Sequence, residues 1–546
     1  MTALRSAERD GPGAWLWVVV LAGVVYVLKH GYAYGVGDHD ETIPQLLRML
    51  DPELYPRDWF VVEQGARFTV RTPFLWLLRG LCVVLPPWGA VLAVYVAGLV
   101  AVGAGVFTLG RDLGASRGAS GLATVAALGV VPTWALSGSG LWFPSLAPEM
   151  LGWALALPAL RLALARRFVW AGALLGLTAY LHLLVGFLTT AGVGLAVLLG
   201  GTGGTVRQRV AWTVRLGAAA LVVALPMGLL ILHDRATGPA VPAGGYSTWF
   251  LIVELRLPHH YLPSHYGVGA WARFGLLAAL GVAGLGWLRA RGRPLVFVER
   301  YALAVAVACG LAWALVEGAQ SLLVAQLQVF KLTVPLVPLF ALAAAEALVS
   351  AAPTPWARAL ELPFRRPRVG WSGAVGAGIL GALLLAGPMA PRLDAVARRA
   401  TDAAVIERWA RRATPTDALF AVPPSNTSFR TGARRSVVIT FKPTSFQEGS
   451  THVWYDRLVA VAPGADPPPV LGLAYASALD NAYAQNGRGD WQGIADTFGA
   501  EFALVDRTRT PTPPAGAPLV EQGSWAVYAL PPPRIAPAGS PGSVTP

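Results

Sequence analysis

Long apolar runs joined by short, arginine-bearing connections dominate the first two-thirds of the chain. Runs able, or nearly able, to cross about 30 Å of hydrocarbon fall at roughly 14–28, 88–110, 118–136, 147–165, 168–186, 187–202, 211–232, 270–288, 301–317, 321–349 and 371–391, about eleven crossings in all. A further run at 73–87 is short, carries Arg79 and ends in Pro86-Pro87, which predicts an interfacial or re-entrant helix. From about residue 392 the pattern changes. An amphipathic helix is predicted at 394–412, and β-type runs follow at Ala418–Val422, Val437–Phe441, Phe502–Val505 and Trp525–Leu530. Helical stretches at 453–461 and 491–498 lie between them, so strands interleaved with helices predict a small α/β domain. The expectation is a mainly α polytopic bundle over 1–391 with long outer loops at 29–87 and 233–269, an α/β domain over 392–530, and a Pro/Gly/Ser-rich disordered tail at 531–546.

Composition agrees with a membrane protein. Of 546 residues 55% are apolar and only 13% charged, with a mean hydropathy of +0.52, whereas a soluble chain carries about a quarter charged residues. The net charge of +13 does not point to nucleic acid, because it comes almost entirely from arginine in short loops. Lysine occurs only at Lys29, Lys331 and Lys442. Cys82 and Cys309 both lie in apolar stretches and form neither a metal spacing nor a disulfide framework. Arg5 and Arg9 precede the first apolar run, but no A-x-A-like site follows it, which predicts an uncleaved anchor helix. No Walker-type loop, GxGxxG context or HExxH is found.

With the N-terminus in the cytoplasm, every inward connection is basic: Arg111 and Arg117; Arg161, Arg166 and Arg167; Arg207 and Arg209; Arg289, Arg291 and Arg293; Arg358, Arg365, Arg366 and Arg368. That orientation puts the C-terminal domain outside the cytoplasm and the polar chemistry on the outer face. High Ala, Gly, Val and Arg with little Lys points to a GC-rich bacterial genome, so the expected site is a bacterial inner membrane.

Three constellations could carry chemistry. The first is Gly37-Asp38-His39-Asp40-Glu41-Thr42 in the first outer loop, followed by Asp51, Glu53, Asp58 and Glu63. Clustered carboxylates tune one another's pKa and suit a general base or a divalent cation; the alternative is a loop that caps the helix starting near Thr42-Ile43-Pro44, with Asp38 as the cap. Asp40 and Glu41 are therefore the preferred bases. The second is Arg256 to Pro263, where His259 and His260 stand beside an arginine and suit a phosphate or a metal, or form an interfacial belt. The third comprises the ionisable residues in or near spans, Glu149, His182, Glu317 and Lys331. Each costs at least about 2.5–3.5 kcal/mol in hydrocarbon. Lys331 either holds a lipid phosphate or pairs with Glu317 or Glu149. In the tail, Arg430, Arg434, Arg435 and Lys442 offer contacts to a phosphate or sugar or, the preferred reading, form a solvated basic face, and the balance of basic and acidic residues there argues for no electrostatic partner.

One membrane helix, an outer loop with an Asp/Glu motif, many further spans, a second long outer loop and an outer C-terminal domain together resemble the GT-C superfamily of integral-membrane glycosyltransferases. The Gly37–Val61 stretch with its Leu-Asp-Pro-Glu-Leu-Tyr-Pro-Arg-Asp-Trp-Phe run, the Arg256–Pro263 stretch, and the tail segments Thr416–Pro424 and Phe429-Arg430 resemble more closely a group of bacterial multi-pass proteins with no assigned activity. The GT-C resemblance implies transfer of a sugar from a polyprenyl-phosphate donor to a glycan or lipid acceptor on the extracytoplasmic side. It implies that Asp38, Asp40 or Glu41 is the catalytic base or a metal ligand, leaving open a divalent Mg or Mn. It assigns donor binding to basic groups at outer helix ends, Arg256, His259, His260 or Lys331, with His39, Glu149 and His182 as further substrate-binding candidates. A transporter or a lipid- or polysaccharide-handling protein without transferase activity is the competing expectation; intramembrane His, Glu and Lys fit an ion route, but no pair of matching Gly/Pro-broken helices marks inverted repeats.

Overall fold

The computed structural model describes residues 12–353, 355, 401–445 and 447–534. The run predicted at 371–391, most of the predicted tail and the first residues of the 394–412 helix lie outside them. The described residues form two compact units. One comprises those of Met1–Tyr32, Val91–Leu229 and His259–Leu393; the other those of Ala33–Ala90, Leu230–Pro258 and Asp394–Pro546. Most of the two long loops, 33–87 and 233–258, thus groups with the C-terminal residues, while 259–269 falls in the first unit.

The regular structure of the first unit is helical among the described residues. Five helices are long and apolar enough to cross a membrane: Pro87–Asp112, Val206–Ala236, Val268–Ala290, Val296–Gly318 and Leu322–Ala351. Shorter apolar helices cover Trp15–His30, Phe168–Leu181 and Leu183–Leu198, and Pro148–Leu164 is helical as well. Two of the boundaries that differ from the sequence pattern have a backbone cause. The run expected at 118–136 is helical only to Val130, because Val131 precedes Pro132 and a residue before proline is pushed out of the α region. The break expected at 186–187 falls instead at His182, whose extended backbone (φ −152°, ψ 105°) ends one helix while its Nδ1 accepts the Val185 N–H at 3.2 Å to cap the next. Small residues let these helices approach closely: a Cβ on Gly284 would lie 2.5 Å from the Ala343 carbonyl oxygen, and one on Gly172 would collide with that of Leu216.

The second unit is built on a five-stranded sheet. Its strands are β1 (Leu419–Ala421), β2 (Ser436–Val437), β3 (Phe502–Asp506), β4 (Val520–Gln522) and β5 (Trp525–Ala529), in the order β2-β1-β3-β5-β4. β1 runs parallel to β2 and β3, while β5 is antiparallel to β3 and β4. Side chains alternate across a strand, and both faces are covered. Leu419, Ala421, Ala503, Val505 and Ala526 pack with Trp454, Leu458, Leu479 and Trp491 from helices Glu448–Val461, Leu473–Ala484 and Arg488–Phe498. Phe420, Val422, Leu504 and Val527 pack on the other face with Ile406 and Ala410 from helix Asp402–Ala413. Leu251 and Leu255 of the second outer loop join the first of these cores. The α/β expectation holds; β4 and the Leu473–Ala484 helix are additions. The 73–87 run contributes the short helix Thr72–Leu81 to this unit.

Candidate functional site

The acidic turn of the first outer loop is a 3-10 helix, Gly37–Glu41, and it belongs to the second unit. Gly37 takes φ +60°, a conformation that favours glycine, and its N–H donates to Thr427 Oγ1 at 3.1 Å. His39 is buried, with Nδ1 accepting the Gly35 N–H at 2.9 Å and its ring edge-on to Tyr34. The turn therefore presents its acids in different directions. Asp40 and Glu41 are buried, whereas the Asp38 side chain is 44% exposed and pairs with Lys442 Nζ at 2.7 Å. The capping alternative is not adopted: Thr42 occupies the cap of helix Ile43–Leu50, with no side-chain cap bond.

Asp40 sits in a closed ionic network. Its Oδ2 accepts from Arg430 Nη1 at 3.1 Å and from Thr440 Oγ1 at 3.0 Å. The same guanidinium donates through Nε to Asp58 Oδ2 at 2.7 Å. Asp58 also accepts the Val437 N–H at 3.0 Å and, through Oδ1, caps helix Trp59–Gly65 at the Val61 N–H. Tyr55 donates its hydroxyl to the Arg430 carbonyl at 2.7 Å. Two carboxylates thus share one buried arginine. Burial pushes the Asp40 carboxyl up to about 6, outweighing the opposing pull of Arg430 and Thr440. Burial works against the Arg430 charge, but Asp58 and Asp40 outweigh it and its pKa is raised. Asp40 Oδ1 and Arg430 Nη2 have no hydrogen-bond partner among the described residues.

Glu41 is held by two arginines. Arg71 Nη2 donates to its Oε2 and Arg256 Nη2 to its Oε1, the latter at 3.3 Å. Arg256 Nη2 also donates to the Lys442 carbonyl at 2.6 Å. Burial lowers the Lys442 pKa, yet the charges of Asp38 and Glu41 more than offset this and raise it. The tail arginines correct the sequence reading. Arg430 and Arg435 are buried, not a solvated face, because the compensating acids of Arg430 lie more than 370 positions away and no local pattern reveals them. Arg435 is satisfied by Thr414 and the Arg411 carbonyl instead.

The donor set does not fit a divalent cation. Asp38, Asp40 and Glu41 each go to a different cationic partner, and among the described residues no group of three or more His, Cys, Asp or Glu side chains is arranged to hold an ion.

The remaining sequence candidates belong to the first unit, except Arg256. Lys331 Nζ donates to Glu149 Oε2 at 2.5 Å, both residues buried, so the pairing alternative for Lys331 is the one adopted. His182 caps a helix, as described. The His259 and His260 rings lie against each other with centroids 4.4 Å apart and planes tilted by 41°, and His260 Nδ1 lies 2.6 Å from the Ser137 carbonyl oxygen. Glu317 accepts from the Ser264 N–H at 2.8 Å and from Trp313 Nε1 at 2.7 Å.

These features define a multi-pass helical membrane protein with a C-terminal mixed-sheet domain. Residues 402–461 match a sequence family described as a domain of unknown function (DUF6798). A comparison with curated proteins yields no match. Among solved structures, the chain is similar to ArnT from Cupriavidus metallidurans at 15% identity and a TM-score of 0.47, covering 94% of this chain and 96% of that one. It is similar to the Archaeoglobus fulgidus oligosaccharyltransferase at 14% identity and 0.45, over 90% and 69%. It is also similar to the arabinofuranosyltransferase AftD from Mycobacteria at 16% and 0.46, over 94% and 40%.

Proposed function

We propose that this chain is a membrane glycosyltransferase that moves a sugar from a polyprenyl-phosphate donor to a hydroxyl acceptor on the extracytoplasmic side, with Asp38 as the base. The carrying observation is the division of labour within the acidic turn. A general base must come within about 3 Å of the proton it removes. Of the three acids only Asp38 keeps a substantially exposed side chain, at 44%, with Lys442 Nζ 2.7 Å from its Oδ1. Asp40 and Glu41 are positioning residues in this reading: Arg430 fixes one and Arg71 with Arg256 the other. Accessibility favours Asp38 over Asp40 and Glu41, the bases preferred on sequence grounds.

In the reaction, the acceptor oxygen forms a bond to the anomeric carbon as its proton passes to the Asp38 carboxylate. The bond from that carbon to the donor phosphate oxygen breaks, its electron pair leaving with polyprenyl phosphate, and the anomeric centre inverts. The guanidinium groups of Arg71 and Arg256 and the ammonium of Lys442 are the cations of this unit assigned to the negative charge of the phosphate. No metal enters the step.

The test is to incubate purified full-length protein with a panel of polyprenyl-phosphate sugars and an acceptor-containing membrane extract, and to follow the lipids by mass spectrometry. Release of free polyprenyl phosphate from at least one donor, matched by a sugar-sized mass gain in an acceptor, is expected. Intact donors throughout would contradict the proposal.

A further inference from the structure

The C-terminal sheet carries a cavity of about 270 Å³ that the proposed transfer does not use. It opens at the carboxyl ends of β1 and β3, lined by the segment after β1 (Pro423 to Ser428) and by Asp506 to Thr510 after β3. The strand order explains the crevice. The chain leaving β1 next enters β2 on one side, and the chain leaving β3 next enters β4, beyond β5 on the opposite side. Adjacent parallel strands whose connections diverge open a ligand crevice beyond their carboxyl ends. Trp525 stands at the same end, paired in register with Asp506.

The chemistry of the lining selects the ligand. Trp525 offers an indole, partly buried against the sheet core. Around it stand Asn426, Asp480, Asp506, Arg509 and Thr510. An anion is disfavoured. Two carboxylates face one arginine, whose guanidinium already donates to Asn481, and the Ser425 N–H is given to Asp480 at 2.8 Å. A purely apolar ligand would strand the polar groups. What remains is a neutral, polyhydroxylated molecule with one apolar face to lie on the indole, and the volume, just below the range of drug-sized pockets, accepts about one ring.

We propose that this cleft binds a single neutral sugar residue of a glycan. The site stands independently of the transfer chemistry assigned to Asp38, and its readout is binding, so failure of one leaves the other intact.

The experiment uses full-length protein in a sugar-free amphipol and saturation-transfer NMR with methyl glycosides of glucose, mannose, galactose and arabinose, with inorganic phosphate as the anionic probe. At least one methyl glycoside should receive saturation from the protein. The signal should fall at least fivefold in Trp525→Ala and in Ala403→Tyr, which fills the cavity from the first turn of helix Asp402–Ala413 without deleting a core side chain. Absence of transfer to all four glycosides in the wild type, survival of the signal in a folded Ala403→Tyr protein, or displacement of the glycoside by phosphate would each overturn the proposal.

Discussion

Arg430 and Asp58 are joined at 2.7 Å across 372 positions of sequence, and neither side chain is more than 1% exposed. Breaking a buried pair by removing one partner costs about 3–5 kcal/mol, because the other charge is left uncompensated. Arg430→Met should therefore destabilise the second unit by about that amount, read as a fall in its unfolding midpoint. Arg430→Lys should recover only part of the loss, since an ammonium cannot span both carboxylates as the guanidinium fork does. Equal stability of Arg430→Met and wild type would show that the network is not a structural clamp.

The Asp40 carboxyl supplies a pH signature. Its value in the folded protein, about 6, lies above that of an exposed aspartate. The folded state then binds more protons than the unfolded state between about pH 4 and pH 6, so this group's contribution is fully present below that window and is lost as pH rises through 6. Relative to Asp40→Asn, the wild type should lose stability as pH rises across that interval, with no further change above it. A difference that grows in its favour instead would mean that Asp40 is held ionised by Arg430.

Lys331 and Glu149 form the corresponding pair in the first unit, at 2.5 Å. Lys331→Met should lower the thermal midpoint of the detergent-solubilised protein, by about 3–5 kcal/mol in stability terms, whereas Lys331→Met with Glu149→Leu should restore most of it. Full stability of the single variant would return Lys331 to the role of a phosphate ligand.

The membrane helices were legible because twenty or so apolar residues have few other uses in a chain of this composition. Their ends were less so, since Pro132 and His182 act through backbone geometry that a hydropathy profile does not register. The strands β1, β3 and β5 stood out as β-type runs, but β4, Val520–Gln522, is too short and polar to do so. The acidic turn was visible as a cluster, though not which acid stays accessible: Asp40 is enclosed by Arg430 and Thr440, and Asp38 is matched by Lys442, all from the far end of the chain. The one available signal was an Asp and an Arg each next to an aromatic residue, Asp58 before Trp59-Phe60 and Arg430 after Phe429. Such residues are costly to bury alone and so imply each other.

An extracytoplasmic turn is the expectation from the arginine-bearing loops, and labelling tests it. With Cys82 and Cys309, one partly exposed and one buried, replaced by serine and alanine, a cysteine introduced by Asp38→Cys should react with a membrane-impermeant maleimide in intact cells. Labelling only after the membrane is permeabilised would place the turn on the cytoplasmic side and remove the basis for an extracytoplasmic transferase.

The role of Asp38 itself is tested most directly by the initial rate of polyprenyl-phosphate release in Asp38→Asn and wild-type protein of equal thermal stability. Loss of a general base predicts a fall of about 10²–10⁴-fold, with retention of donor lipid in the variant. A rate within a few-fold of wild type would contradict the assignment.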